Sequence, residues 1–151
     1  MKRHETLIPL THDHHHALAA IRGLAVAAKG TDEERDRASR QFLSFFRSDT
    51  LMHFRDEEEI IFPLVGDAPQ ARGTMERATL EHAEIQAAVH CLACELEDGV
   101  PGSASIQRIV DLFRSHIRFE EKVVFPMIES LSSVELDSVK LRQRTRETVT
   151  A

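Results

Sequence analysis

The stretch His53–Pro63, HFRDEEEIIFP, returns 63 residues later as HIRFEEKVVFP at His116–Pro126. His53 pairs with His116, Arg55 with Arg118, and Glu57 and Glu58 with Glu120 and Glu121. Ile61 pairs with Val124, and Phe62-Pro63 with Phe125-Pro126. A unit that recurs with its charged residues in register constrains the fold strongly, because both copies need equivalent surroundings.

Those surroundings read as helix. A first helix is predicted from Thr11 to Lys29, stopping at Gly30. Thr31-Asp32-Glu33-Glu34 has the T-x-x-E form of a capping box and opens a second. That helix carries Phe42, Phe46, His53, Glu57, Ile60 and Leu64 at helical spacing and loosens between Pro63 and Pro69. A third runs from Thr74 to Leu96 and ends near Gly99; a fourth runs from Ser103 to Met127, with a bend at Pro126. Ser132-Ser133-Val134-Glu135 offers another capping box, predicting a short C-terminal helix over residues 133–146. No alternating β pattern of any length occurs. Four long helices with short connections imply an all-α, up-down-up-down four-helix bundle, here a single domain over residues 1–151 with its core at 11–127.

Composition narrows the function. With 25 acids against 19 lysines and arginines, the net charge is −6. The basic cluster Lys140–Arg146 is short, so a nucleic-acid partner is not expected. No apolar run reaches membrane length, and no apolar segment follows Met1-Lys2-Arg3-His4, so a cytoplasmic protein without a membrane partner is expected. Cys91 and Cys94 form a C-x-x-C late in the third helix. Redox pairs favour a helix N-terminus, where the dipole lowers the thiol pKa, so these are expected as two small buried apolar residues.

The repeat carries chemistry. His53 and Glu57 lie four residues apart, about 40° around a helix, with Cβ atoms roughly 5–6 Å apart; His116 and Glu120 repeat that geometry. Both pairs fall on the apolar stripe: His53 lies seven residues after Phe46 and seven before Ile60, and His116 likewise between Ile109 and Val123. Uncompensated imidazoles and carboxylates in a core are costly, and a metal supplies the compensation. A weaker repeat identifies further donors. TLEHAEIQAAV at residues 79–89 aligns with THDHHHALAAI at 11–21, pairing Glu81 with Asp13 and His82 with His14. Periodicity agrees, because His14 leads to Leu18 and Ile21 while His15 leads to Arg22. Four histidines (His14, His53, His82, His116) and two glutamates (Glu57, Glu120) then surround a pseudo-twofold axis. Each of two metals takes two histidines, with both glutamates bridging. A bridging oxygen leaves an open position on each ion. Imidazole with carboxylate suits iron, and manganese or zinc is compatible with the same donors. Glu58 and Glu121 lie about 140° from their histidines and are read as groups behind the ligands or between helices. His4, His12, His15, His16 and His90 are expected at the surface.

HFRDEEEIIFP and HIRFEEKVVFP, with DHHHAL and LEHAEI, are similar to the hemerythrin-like (HHE cation-binding) domains, over residues 11–126. The resemblance implies a four-helix bundle holding two iron ions, oxo- or hydroxo-bridged, that meet O2 or related small ligands. His14, His53, Glu57, His82, His116 and Glu120 carry over. The chain departs from the oxygen-carrying members at Gln86, where those have a fifth histidine. It departs again in its fourth helix, which has H-x-x-x-E in place of H-x-x-x-x-D. It is closer to members linked to iron sensing or to peroxide and NO responses.

Two functions follow as expectations. One is a non-haem di-iron binding protein that interacts with O2, NO or peroxide, or senses iron, a sensor acting through a protein partner. The other is a di-iron enzyme with catalase-like or peroxidase-like activity. The absence of Tyr argues against chemistry that needs a tyrosyl radical. A bundle binding adventitious metal is the third reading, which metal content would separate from both.

Overall fold

Thr31 opens the second helix as the sequence predicts: its hydroxyl accepts from the Glu34 amide at 3.2 Å, and the Glu34 carboxylate accepts from the Thr31 amide at 3.2 Å. In the computed structural model, which describes residues 2–144, every regular element is helical. Helix α1 spans Ile8–Ala28. The second rod of the bundle is composite: α2 (Asp32–Phe45), a π turn (Phe46–Thr50), α3 (Leu51–Asp56), a second π turn (Glu57–Ile61) and a 3-10 turn (Phe62–Val65). Helix α4 spans Pro69–Asp98. The fourth rod joins α5 (Ser103–Phe119) to α6 (Phe125–Leu136) through a π turn at Glu120–Val124. Gly99 ends α4 at φ 153°, a conformation open to glycine but strained for other residues.

Helix α1 packs on α2 and α5, and α4 packs on α5 and α2, which closes a four-rod bundle. Its interior has two apolar halves. One gathers Ile21, Leu24, Phe42, Phe46, Phe54, Ile85, Leu92 and Phe113. The other gathers Leu7, Leu10, Ile61, Phe62, Met75, Val124, Phe125 and Ile128. In every rod the charged residues singled out in the sequence fall between the two.

Three expectations are corrected. The kink in the fourth rod lies at Ser132 (φ −141°, ψ 34°) and not at Pro126, which sits in the first turn of α6, a position that tolerates its missing N–H. The short C-terminal helix expected over 133–146 is only the stretch beyond the Ser132 kink, and it stops at Leu136. The Ser132 hydroxyl at the kink donates to the Leu64 carbonyl at 3.0 Å. The helix ends at Leu136, and residues 139–144 form an irregular strap that carries Arg142 and Arg144 to buried carboxylates. Residues 145 and 146 lie outside the described residues. Finally, Cys91 and Cys94 are exposed. Val89, Leu92 and Leu96 take the inward positions of that part of α4, and the cysteines fall outside their stripe.

Candidate metal centre

The four histidines and two glutamates expected as ligands meet in one buried layer. His14 comes from α1, His53 from α3, His82 from α4 and His116 from α5, while Glu57 and Glu120 each open a π turn. All six are at most 4% exposed. Ligand atoms of His14, His53, Glu57 and Glu120 lie within 4.8 Å of one another, and so do those of His82, His116, Glu57 and Glu120. Glu57 faces both ways: Oε1 lies 2.7 Å from His53 Nε2, and Oε2 lies 3.0 Å from His82 Nε2. Glu120 Oε1 lies 3.1 Å from His14 Nε2 and 3.0 Å from His116 Nε2.

Of these contacts the His14 Nε2–Glu120 Oε1 pair is a hydrogen bond, but most of the inward atoms have none. Nε2 of His53, His82 and His116, both oxygens of Glu57 and Oε2 of Glu120 are buried without a hydrogen-bond partner. Buried polar atoms are ordinarily satisfied, so a cluster of inward-facing orphans needs explanation. A cation at the centre of each set would satisfy them, and mixed imidazole and carboxylate donors suit a transition metal. The six residues therefore fit a metal centre.

The outward nitrogens are all engaged. His53 Nδ1 meets Asp13 at 2.9 Å, and His116 Nδ1 meets Glu81 at 2.9 Å. His14 Nδ1 meets Glu121 at 2.7 Å, and His82 Nδ1 meets Glu58 at 3.2 Å. Each carboxylate comes from a different rod than its histidine, and the pattern keeps the twofold of the repeat. A proton held at Nδ1 leaves Nε2 as the donor and fixes the ring, as metal-bound histidines commonly require. Glu58 and Glu121 thus stand where the sequence placed them, behind the imidazoles. Asp13 and Glu81 were not assigned this role, although the repeat had paired them and each immediately precedes a site histidine.

Electrostatics follow from this crowding. Burial opposes charge on His82, yet the Glu120, Glu57 and Glu58 carboxylates raise its pKa to about 11. Burial likewise opposes charge on His116, but Glu120 and Glu81 raise it to about 9. His14 and His53 are raised in the same way. Burial alone would raise Glu120; His116, His14 and His53 instead hold it well below the usual range.

Aromatic rings seal the layer. Phe54 stacks on His82 with ring centroids 3.9 Å apart, and Phe125 stacks on His14 at 5.4 Å. Phe62, the repeat counterpart of Phe125, stacks on His82 at 5.9 Å. Beside the cluster lies a cavity of about 20 Å³, lined by His14, His53, His116, Phe54 and Thr50 among others, with room for about one water-sized molecule. The Thr50 hydroxyl at this cavity is buried without a hydrogen-bond partner.

The remaining histidines stay outside. His12, His15, His16 and His90 are exposed, and half-buried His4 meets Asp137 at 2.9 Å. Gln86 is exposed as well, so it adds no donor to the layer. Among the described residues no helix is long and apolar enough to cross a membrane.

Comparison with curated proteins and with solved structures returned no match. The family model for the hemerythrin HHE cation binding domain matches residues 6–128, a span that takes in part or all of each rod and every histidine and carboxylate of the layer, and the chain belongs to that family.

Proposed function

We propose that the protein is a non-haem di-iron binding protein, with one ion between His14 and His53, a second between His82 and His116, and Glu57 and Glu120 shared by both. The observation that carries this reading is the pair of mirrored four-residue donor sets with most of their inward atoms left without hydrogen bonds. Iron there would supply redox and Lewis-acid chemistry toward O2, NO or H2O2; manganese and zinc fit the same donors. The residues around it suit that use. Phe54, Phe62 and Phe125 limit water, the four outer carboxylates hold the rings, and the cavity beside Thr50 has the size of a small ligand. The buried Thr50 hydroxyl is available to donate a hydrogen bond to a molecule lodged there.

A peroxide-consuming enzyme is the second reading. Exposed Gln86 supports it, because neither side of the layer gains a third imidazole from α4. The two sides then offer like donor sets, without the asymmetry that favours reversible binding at a single ion. Anaerobic Fe(II) loading tests the first reading: two irons per chain are expected, with Glu57→Ala and Glu120→Ala each lowering occupancy at both positions. One iron or less in the unaltered protein would overturn it. Stopped-flow mixing of the loaded protein with O2 separates the two readings. A long-lived adduct that reverses on O2 removal favours a carrier, and prompt oxidation followed by H2O2 consumption favours turnover.

A further inference from the structure

Beyond the six donors and their four orienting carboxylates, the two halves of the layer stop being alike. On the His82 and His116 side the help is local. Glu81, which holds His116, pairs at 2.8 Å with Arg77 one turn earlier on the same helix, and that guanidinium lies 3.8 Å over the Phe119 ring. The Arg77 side chain is 58% exposed.

On the His14 and His53 side the cations come from segments remote in sequence. Glu121, which holds His14, accepts from Arg3 at 2.8 Å and from the Thr11 hydroxyl at 2.8 Å. Asp13, which holds His53, accepts from Arg144 Nη2 at 2.9 Å and Nε at 3.2 Å, and the Arg144 side chain is only 3% exposed. Fully buried Asp56 binds the same guanidinium and takes Arg142 at 2.5 Å. The repeat explains why the cation must come from elsewhere. The counterpart of Arg77 on α1 is Pro9, which carries no charge, and the counterpart of Asp56 is Phe119. Arg144 supplies from the strap what Arg77 supplies from within α4.

A carboxylate orients an imidazole only as well as it is itself held. Arg77 is exposed and its pair with Glu81 is open to solvent, whereas Arg144 is buried with two carboxylates. The His14 and His53 rings are therefore the better fixed before any ion arrives, and prior fixing favours affinity. We propose that Arg3, acting through Glu121, and Arg144, acting through Asp13, make the His14/His53 position the first and tighter of the two to fill. Both arginines are positioning residues and neither touches the ion. The inference rests on the two-ion reading above.

Titration of the metal-free protein with cobalt(II) alone, followed by visible absorption and calorimetry, tests it. Two steps are expected in the unaltered protein. Arg144→Met should weaken the first by about tenfold, the low end for loss of an outer partner, and leave the second unchanged. Arg77→Met should act on the second step only, and Arg144→Lys should recover part of the first. The shifted, exchangeable Nδ1 proton of His53 in the cobalt protein should broaden by solvent exchange in Arg144→Met, while that of His82 stays sharp. A structural role alone would not single out His53. If Arg144→Met does not fold, Arg3→Met reports the same effect through the His14 proton. Two equal steps in the unaltered protein, or steps and proton signals that neither variant changes, would overturn the inference alone. Uptake of fewer than two cobalt ions by the unaltered protein would overturn the two-ion reading, and this inference with it.

Discussion

One position along α1 separates a buried imidazole from a solvated one. His14 is 3% exposed and hydrogen-bonded on both nitrogens, to Glu121 at 2.7 Å and Glu120 at 3.1 Å, whereas His15 is exposed. A run of four histidines within five residues would hide that distinction from composition alone, but two independent signals expose it. The apolar period places Ile21, which is fully buried, one heptad after His14, and the alignment with the third helix selects the same residue. His14→Ala should therefore weaken iron uptake by more than the roughly 10–100-fold that follows loss of an orienting partner. His15→Ala should leave iron content unchanged. Elemental analysis after matched loading decides, and a larger loss in His15→Ala would mean that α1 is read one residue out of register. Arg144 shows the opposite case. Nothing local marks it, because its partners Asp13 and Asp56 are 131 and 88 residues away.

At the scale of the element, the rods were legible and their faults were not. Thr31, Gly99 and the connections between rods follow from turn and cap chemistry. Stepping seven residues from His53 reaches Ile60, and from His116 reaches Val123, yet the buried residues are Ile61 and Val124, both 0% exposed, while Val123 is 41% exposed. The slip is one residue in each copy, and its cause is the π turn. The Phe62 amide bonds the Glu57 carbonyl, and the Phe125 amide bonds the Glu120 carbonyl, five residues back instead of four. A proline lies two residues past each of these turns, after Phe62 and after Phe125. Its ring would crowd the carbonyl four residues earlier, and a widened turn relieves that contact. The repeated Phe-Pro was thus the available signal for both π turns. A cap far from the layer should affect stability without touching the site. Thr31→Ala removes one side of the box and should cost about 1 kcal/mol in a denaturant titration while iron content stays at the unaltered level. Loss of iron in that folded variant would mean that the α1–α2 connection constrains the layer more than its position implies.

For the whole molecule, the layer makes stability depend on pH in a direction set by its raised imidazoles and lowered carboxylates. Without metal, four histidines sit among buried carboxylates that outweigh the burial opposing their charge, raising His82 to about 11 and His116 to about 9. A group whose pKa is higher folded than unfolded binds more protons in the folded state. Its contribution is complete below the unfolded value, about 6.5 for histidine, and is lost as pH climbs through the folded value. The carboxylates act in the other sense. Burial resists the charge of Glu121, but His14, Thr11 and Arg3 lower its pKa to about 2, so its contribution is complete above the ordinary carboxylate range and lost only in strong acid. Between about pH 4.5 and 6.5 both sets contribute fully, and the metal-free protein should be most stable there. Its Tm should then fall as pH rises from about 6.5 to 9, where the unfolded chain gives up histidine protons that the folded layer still holds. Metal replaces those protons, so loading at pH 7 should release them, and the loaded protein should not show the alkaline decline. Thermal unfolding of chelator-treated and iron-loaded protein across pH 4–9 measures both curves, and calorimetry in buffers of different ionisation enthalpy counts the protons. A metal-free Tm that climbs steadily from pH 6 to 9 would show that burial, rather than the carboxylates, governs the imidazoles, and would remove the basis for metal and proton exchange at this layer.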